Sequence, residues 1–95
     1  MQISDIESNQ KNVNILAQVA EISPVKEFSK FGRIGRVASA VLKDTSGEIQ
    51  LILWDEQIEL VKEGDKLNIQ NAFVKEWQGT KQLNLGRYGN LEIVN

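Results

Sequence analysis

Apolar residues in this chain recur at every second position, in several separate runs. Val13, Ile15, Ala17 and Val19 share one parity while Asn14 and Gln18 share the other, and Ile49, Leu51 and Leu53 repeat the pattern. Leu67 with Ile69, and Leu83 with Leu85, do so again. Successive side chains of a strand point to opposite faces, so a period of two marks strands with one face buried. Only residues 55–63 (DEQIELVKE) change period. There Ile58 and Val61 stand three apart, Asp55 is a candidate N-cap, and Gly64 suits a left-handed stop. The chain is therefore expected to be all-β with one short helix.

A chain of 95 residues buries only roughly 60–65% of its unfolded surface, enough for one tightly closed core. Residues 1–95 are expected to form a single domain, with 1–12 as a helical turn and lead-in. Ser4-Asp5-Ile6-Glu7 has the form of a capping box, and Ile3 and Ile6 would dock on the body. The first strand slips parity at Glu21-Ile22, as a bulge or sharp bend requires. Pro24–Gly35 reads as a loop and 36–43 as a second strand, apolar on both faces, whose inward parity stays open. A turn at Asp44–Gly47 leads to a third strand, Glu48–Trp54, with Gln50, Ile52 and Trp54 facing outward. A fourth strand starts at Leu67, and a fifth follows a turn at Gly79. Five short strands, a helix after the third, and bends in the first and fourth describe a five-stranded Greek-key barrel of the oligonucleotide/oligosaccharide-binding (OB) type. The rival SH3-like barrel leaves the helix at 55–63 unexplained.

The residue inventory limits chemistry. The chain has no Cys and no His, which removes disulfides, thiolate nucleophiles, the usual zinc ligands and the usual general base. No enzyme, cofactor or metal is expected. The apolar runs are shorter than a membrane span and no signal-like segment opens the chain, which points to a soluble, cytoplasmic domain with no membrane partner. The net charge is −2, mildly unfavourable for a nucleic-acid partner. Its distribution is uneven. Lys26, Lys30, Arg33 and Arg36 against Glu27 give +3, and Lys75, Lys81 and Arg87 against Glu76 give +2. Asp44, Glu48, Asp55, Glu56, Glu59, Glu63 and Asp65 against Lys62 give −6. Either these charges are scattered and solvated, or the basic segments share one side of the fold and create a local field opposite in sign to the total.

Residues 71–85 (NAFVKEWQGTKQLNL) place two large rings among polar neighbours. Extending the inward parity of Leu67 and Ile69 would bury Asn71, which then needs several partners. A bulge near Gln70-Asn71 instead turns Ala72 and Val74 inward and exposes Phe73. Trp77 falls at the tip of the last hairpin, and Trp54 shares a face with Gln50. On a barrel of this type the three rings converge where such folds hold single strands, and every base has a flat face that stacks. Lys26, Lys30, Arg33, Arg36, Lys75, Lys81 and Arg87 would track phosphates, which supplies attachment without sequence choice. Each ring also has a structural reading: Trp54 capping the barrel end, Phe73 in the core, Trp77 folded on its own hairpin. Phe28 and Phe31 are either loop contacts to the ligand or a tether that closes the loop on the barrel, and Tyr88 is expected to pack near the terminus.

From Ile3 to Val94 the chain resembles an OB domain of archaeal replication protein A and the related archaeal single-stranded DNA-binding proteins. The resemblance is carried by the loop with Pro24 and Phe28, the D-x-S-G-x-I-x-L-x-L-W hairpin ending at Trp54, the EGD-x-L-x-I-x-NA-F segment ending at Phe73, and LGRYG at 85–89. It implies binding of single-stranded DNA in replication or repair, with Trp54, Phe73 and Trp77 as stacking residues and other OB domains or replication and repair proteins as further partners. Some relatives carry an aromatic residue where this chain has Asn84, so that fourth platform is either lost or replaced by a polar base contact from Asn84, with Gln50 a second candidate for such a contact. A protein-interaction OB module and an RNA-binding OB domain remain the alternatives.

Overall fold

A computed structural model describes residues 1–94. A 310 turn at Ile3–Asp5 precedes strands β1 (Val13–Ile22), β2 (Lys26–Lys30), β3 (Arg33–Asp44) and β4 (Gly47–Trp54). Helix α1 (Glu56–Leu60) then leads to β5 (Lys66–Trp77), β6 (Thr80–Asn84) and β7 (Asn90–Ile93). The order β1-β3-β4-β6-β5, with β5 pairing back onto β1, closes a ring of five strands. Strand β2 is added beside β3, and β7 beside the first half of β5. This is the expected barrel, and the helix sits between its third and fourth ring strands.

The inward parity of each ring strand fills the core. Ile15, Ala17 and Val19 meet Ala40, Leu42, Leu51, Leu53, Leu67, Ile69, Val74 and Leu83, each at most 3% exposed. Strand β3 resolves its ambiguous parity by turning Ala38, Ala40 and Leu42 inward, which leaves Val37, Ser39 and Val41 on the other face. Both expected irregularities are present. The β1–β3 register shifts between Val19 and Glu21. In β5, Val13 pairs with Ala72 but Ile15 with Ile69, so one extra residue is taken up around Gln70-Asn71, where Asn71 has φ +56°. Ala72 and Val74 are buried as a result.

Several expectations are corrected. Pro24–Gly35 is not an open loop: residues 26–30 pair with 33–37 in a hairpin that turns at Phe31-Gly32, both at positive φ. The capping pair is Gln2 with Asp5 rather than Ser4 with Glu7: the Asp5 carboxylate accepts from the Gln2 amide at 3.1 Å. Asp55 does not cap α1. It stands at φ +50° and ties β4 back to β3, its amide donating to the Arg36 carbonyl and its carboxylate accepting from the Arg36 amide, both at 2.9 Å. The helix ends at Leu60 rather than Glu63, and Gly64, at φ +90°, serves the turn into β5. Among the described residues no helix is long and apolar enough to cross a membrane.

Asp44 closes the opposite end. Its carboxylate accepts from the Ser46 hydroxyl and amide, the Gly47 amide and, at 2.9 Å, the Ile3 amide. The Ser46 hydroxyl foremost, then the Ile3 amide, hold its pKa below the ordinary carboxylate value. A lowered folded-state pKa contributes stability that is complete above the unfolded value and is lost as pH falls through the folded one. Wild type is therefore expected to gain in unfolding midpoint between about pH 3 and pH 5 from this group, while Asp44→Asn loses that gain. Urea melts at the two pH values check it, and an equal pH response in both proteins counts against it.

Candidate nucleic-acid interface

Strand alternation and register together build one face outside the barrel. Val37, Ser39 and Val41 of β3 stand beside Trp54, Ile52 and Gln50 of β4. The parallel pairing of β4 with β6 sets Gln50 beside Gln82 and Ile52 beside Asn84. The β5–β6 pairing then sets Lys75 beside Gln82 and Phe73 beside Asn84. Two rows thus cross four strands, Ser39-Ile52-Asn84-Phe73 and Val41-Gln50-Gln82-Lys75. Phe73 lies two strand spacings, roughly 10 Å, from β4.

The rings take distinct positions on this face. Trp54, 43% exposed, ends β4, and its backbone amide donates to the Gln57 side chain at 3.0 Å. Phe28 meets it edge to face, with centroids 5.7 Å apart and planes at 90°. Gly35 lies opposite Phe28, and a Cβ there would come within 2.3 Å of the Phe28 ring. Trp77, 62% exposed, precedes a tight turn in which Gln78 and Gly79 both have positive φ, the form that matches strand twist. Its residue lines a hollow of about 300 Å³ with Lys26, Ser39, Gln50, Ile52 and Gln82, so the hairpin tip borders the face rather than leaving it. Phe73 is half-buried, with the Lys75 ammonium 5.8 Å from its ring centre. It rests on Gly86, where a Cβ would stand 2.5 Å from the ring. Phe31 stands apart at the β2–β3 tip, 93% exposed, with the Lys30 ammonium 5.6 Å from its ring.

The cations divide. Lys26, Lys30 and Arg33 have the same hairpin parity as Phe28, on the side of Val37 and Trp54, and Lys75 stands beside Phe73. Arg36 has the other parity and pairs with Glu59 of α1 at 3.1 Å. The Lys81 ammonium donates to the Ile6 carbonyl at 2.8 Å and so holds the lead-in. Arg87 is exposed in the turn after β6. The acidic residues are only partly segregated: Glu56 and Glu59 lie on α1, but Glu21 and Glu63 line a hollow that Ser39 and Gln50 also line.

Two residues escaped the sequence reading and a third was misplaced by it. Gln82 is revealed only by register. Gln57, inside the helical segment, turns back to hold the Trp54 backbone. Tyr88 does not pack at the terminus; it is 80% exposed and borders, with Phe73, Lys11, Asn9 and Asn12, a hollow of about 570 Å³. The LGRYG motif marked its position without its orientation. Among the described residues no group of three or more His, Cys, Asp or Glu is placed to hold a metal ion.

A closed five-strand barrel with a helix after the third ring strand, carrying rings and amides on the face of β3 and β4, defines the OB class of binding domain. The comparisons with known proteins agree. The family model described as single-stranded DNA binding protein Ssb-like, OB fold, matches residues 6–93. The single-stranded DNA binding protein Ssb of Saccharolobus solfataricus is 27% identical over 84 residues, 88% of this chain. The chain spans 57% of that relative's length. A crystallised domain of replication protein A from Methanococcus maripaludis is 33% identical, with TM-score 0.79 over 99% of this chain and 93% of that one. The OB domain of Ta0387 from Thermoplasma acidophilum shares the fold, with TM-score 0.84 at 23% identity over 100% of this chain and 86% of that one. This chain belongs to the Ssb-like OB-fold family of single-stranded DNA-binding proteins, which are binding proteins and not enzymes.

Proposed function

We propose that the chain binds single-stranded DNA with little sequence preference and shields it during replication or repair. Bases stack on Trp54, Phe73 and Trp77, and phosphates run along Lys26, Lys30, Arg33 and Lys75, with Arg87 beyond Phe73. Arg36 and Lys81, already engaged elsewhere, are left out of the contact set. Phe28 acts through Trp54, whose ring it supports from the side. The observation that carries the reading is the shared face: register places Trp54 and Phe73 on one continuous surface whose floor also borders the residue at the Trp77 tip. Stacking is indifferent to base identity, and phosphate contacts carry no sequence information, so the pair accounts for broad binding.

Titration with oligo-dT is the test. Saturable quenching of tryptophan fluorescence is expected, with much weaker binding of a duplex of equal length. With about three phosphates neutralised, the logarithm of affinity should fall against that of salt with a slope near −2. Equal affinity for single and double strands would end the proposal, and a slope near zero would remove its phosphate contacts.

A further inference from the structure

We infer that Gln50 and Gln82 form a reversible donor–acceptor pair that reads the edge of a bound base and admits either order of its groups. This rests on the single-strand reading above and concerns how that face tolerates any sequence. The two amides face each other across the β4–β6 pairing, and the Gln82 amide nitrogen donates to the Gln50 amide oxygen at 3.1 Å. Both residues are half-buried and both line the hollow bordered by Trp77. A base stacked at Trp77 therefore has its edge beside them.

A primary amide carries one acceptor oxygen and two N–H donors. The bond between the pair uses one oxygen and one N–H. The Gln82 oxygen and the Gln50 NH2 group stay free to meet a ligand. If both amides turn over, Gln50 donates to Gln82 and the bond between them survives. The free donor and the free acceptor then exchange places. The torsion involved is broad and two-fold, so the exchange meets little resistance. Each DNA base carries a donor next to an acceptor on its pairing edge, in one of two orders. Adenine and cytosine present an exocyclic amine beside a ring nitrogen acceptor; guanine and thymine present a carbonyl beside a ring N–H. One arrangement of the pair fits the first order and the other fits the second. The edge contact is thus made for every base, and neither class is left with an unpaired group that would discriminate against it.

Removing the reversal should create a preference. Gln82→Lys offers donors only, which locks the Gln50 oxygen toward the lysine and leaves donors facing the base, favouring cytosine, whose ring nitrogen and carbonyl are adjacent acceptors, over thymine, whose N–H separates its two carbonyls. Gln82→Glu offers acceptors only, favouring the cytosine amine over thymine, whose N–H is flanked by two carbonyls. The readout is the ratio of oligo-dC to oligo-dT affinity, which cancels the effect of the added charge on phosphates. Wild type should bind both within about threefold, and Gln82→Lys and Gln82→Glu should each raise the ratio at least fivefold, because only a mixed donor–acceptor pair fits thymine. Gln82→Met, which keeps the length without hydrogen bonds, should weaken both oligomers equally. Ratios unchanged in the Lys and Glu variants, with wild type still binding both oligomers, would overturn the inference while leaving the stacking proposal intact. Failure of wild type to bind either oligomer would instead remove the reading beneath it.

Discussion

Trp54→Ala is expected to weaken binding of oligo-dT by a factor of roughly 5 to 150, the 1–3 kcal/mol that one stacking platform supplies. Anisotropy of a labelled oligomer is the suitable measurement, because the substitution also deletes one of the two tryptophans. Trp54 does two things that the experiment must separate. It presents a ring at 43% exposure, and it receives the edge of Phe28, so its loss also frees the β2–β3 hairpin with Lys26, Lys30 and Arg33. Trp54→Phe restores a smaller ring and should recover part of the affinity. Phe28→Ala keeps Trp54 while releasing the hairpin, and should cost less than Trp54→Ala. The residue lies at the end of β4 outside the barrel core, so the unfolding midpoint should move little in Trp54→Ala. Combination with Trp77→Ala should roughly add, since no contact joins the two rings among the described residues. Unchanged affinity in both single variants would refute the platform assignment.

The largest loss of stability is expected from Leu83→Ala. Leu83 is fully buried, and β6 places it beside Leu51 on one side and Val74 on the other. That strand closes the ring, and its parallel pairing with β4 runs only over Gln50–Ile52 and Gln82–Asn84. Truncating a buried leucine costs about 2–5 kcal/mol, because the transfer energy and the residual cavity both count. A domain of this length is stable by only about 5–14 kcal/mol. The midpoint should therefore fall by roughly 10 °C or more. Calorimetry checks it, and a fall of only a degree or two would show that β6 does not hold the ring closed. Binding should suffer at temperatures where the folded variant still predominates, because Gln82 and Asn84 flank the cavity on the same strand.

What could be read from the residues follows where burial leaves a pattern. The bulge at Gln70-Asn71 was legible because burying Asn71 is costly, and one extra residue corrects the parity of everything after it. The face carrying Gln50, Ile52 and Trp54 was legible from alternation alone. Strand β2 was not, since all of residues 26–30 are exposed and a strand with no buried face writes no period into its sequence. Asp55 was misjudged and Gln57 overlooked for a related reason: a polar side chain at a helix start can serve the helix or the strand before it, and for Asp55 only the chain's return to Arg36 decides. Arg36 and Lys81 counted as free cations in composition, and only tertiary placement gives them Glu59 and the Ile6 carbonyl. Gln82 is an ordinary polar residue until register brings it opposite Gln50.

The face crossed by β3, β4, β6 and β5 is a furrow, with the β2–β3 hairpin and the Trp77 turn on its banks and nothing among the described residues roofing it. A long polymer can settle into a furrow broadside, at any point along its length. On the single-strand reading proposed above, no terminus has to be found and threaded, so an interior stretch of a long strand is as accessible to this domain as its end.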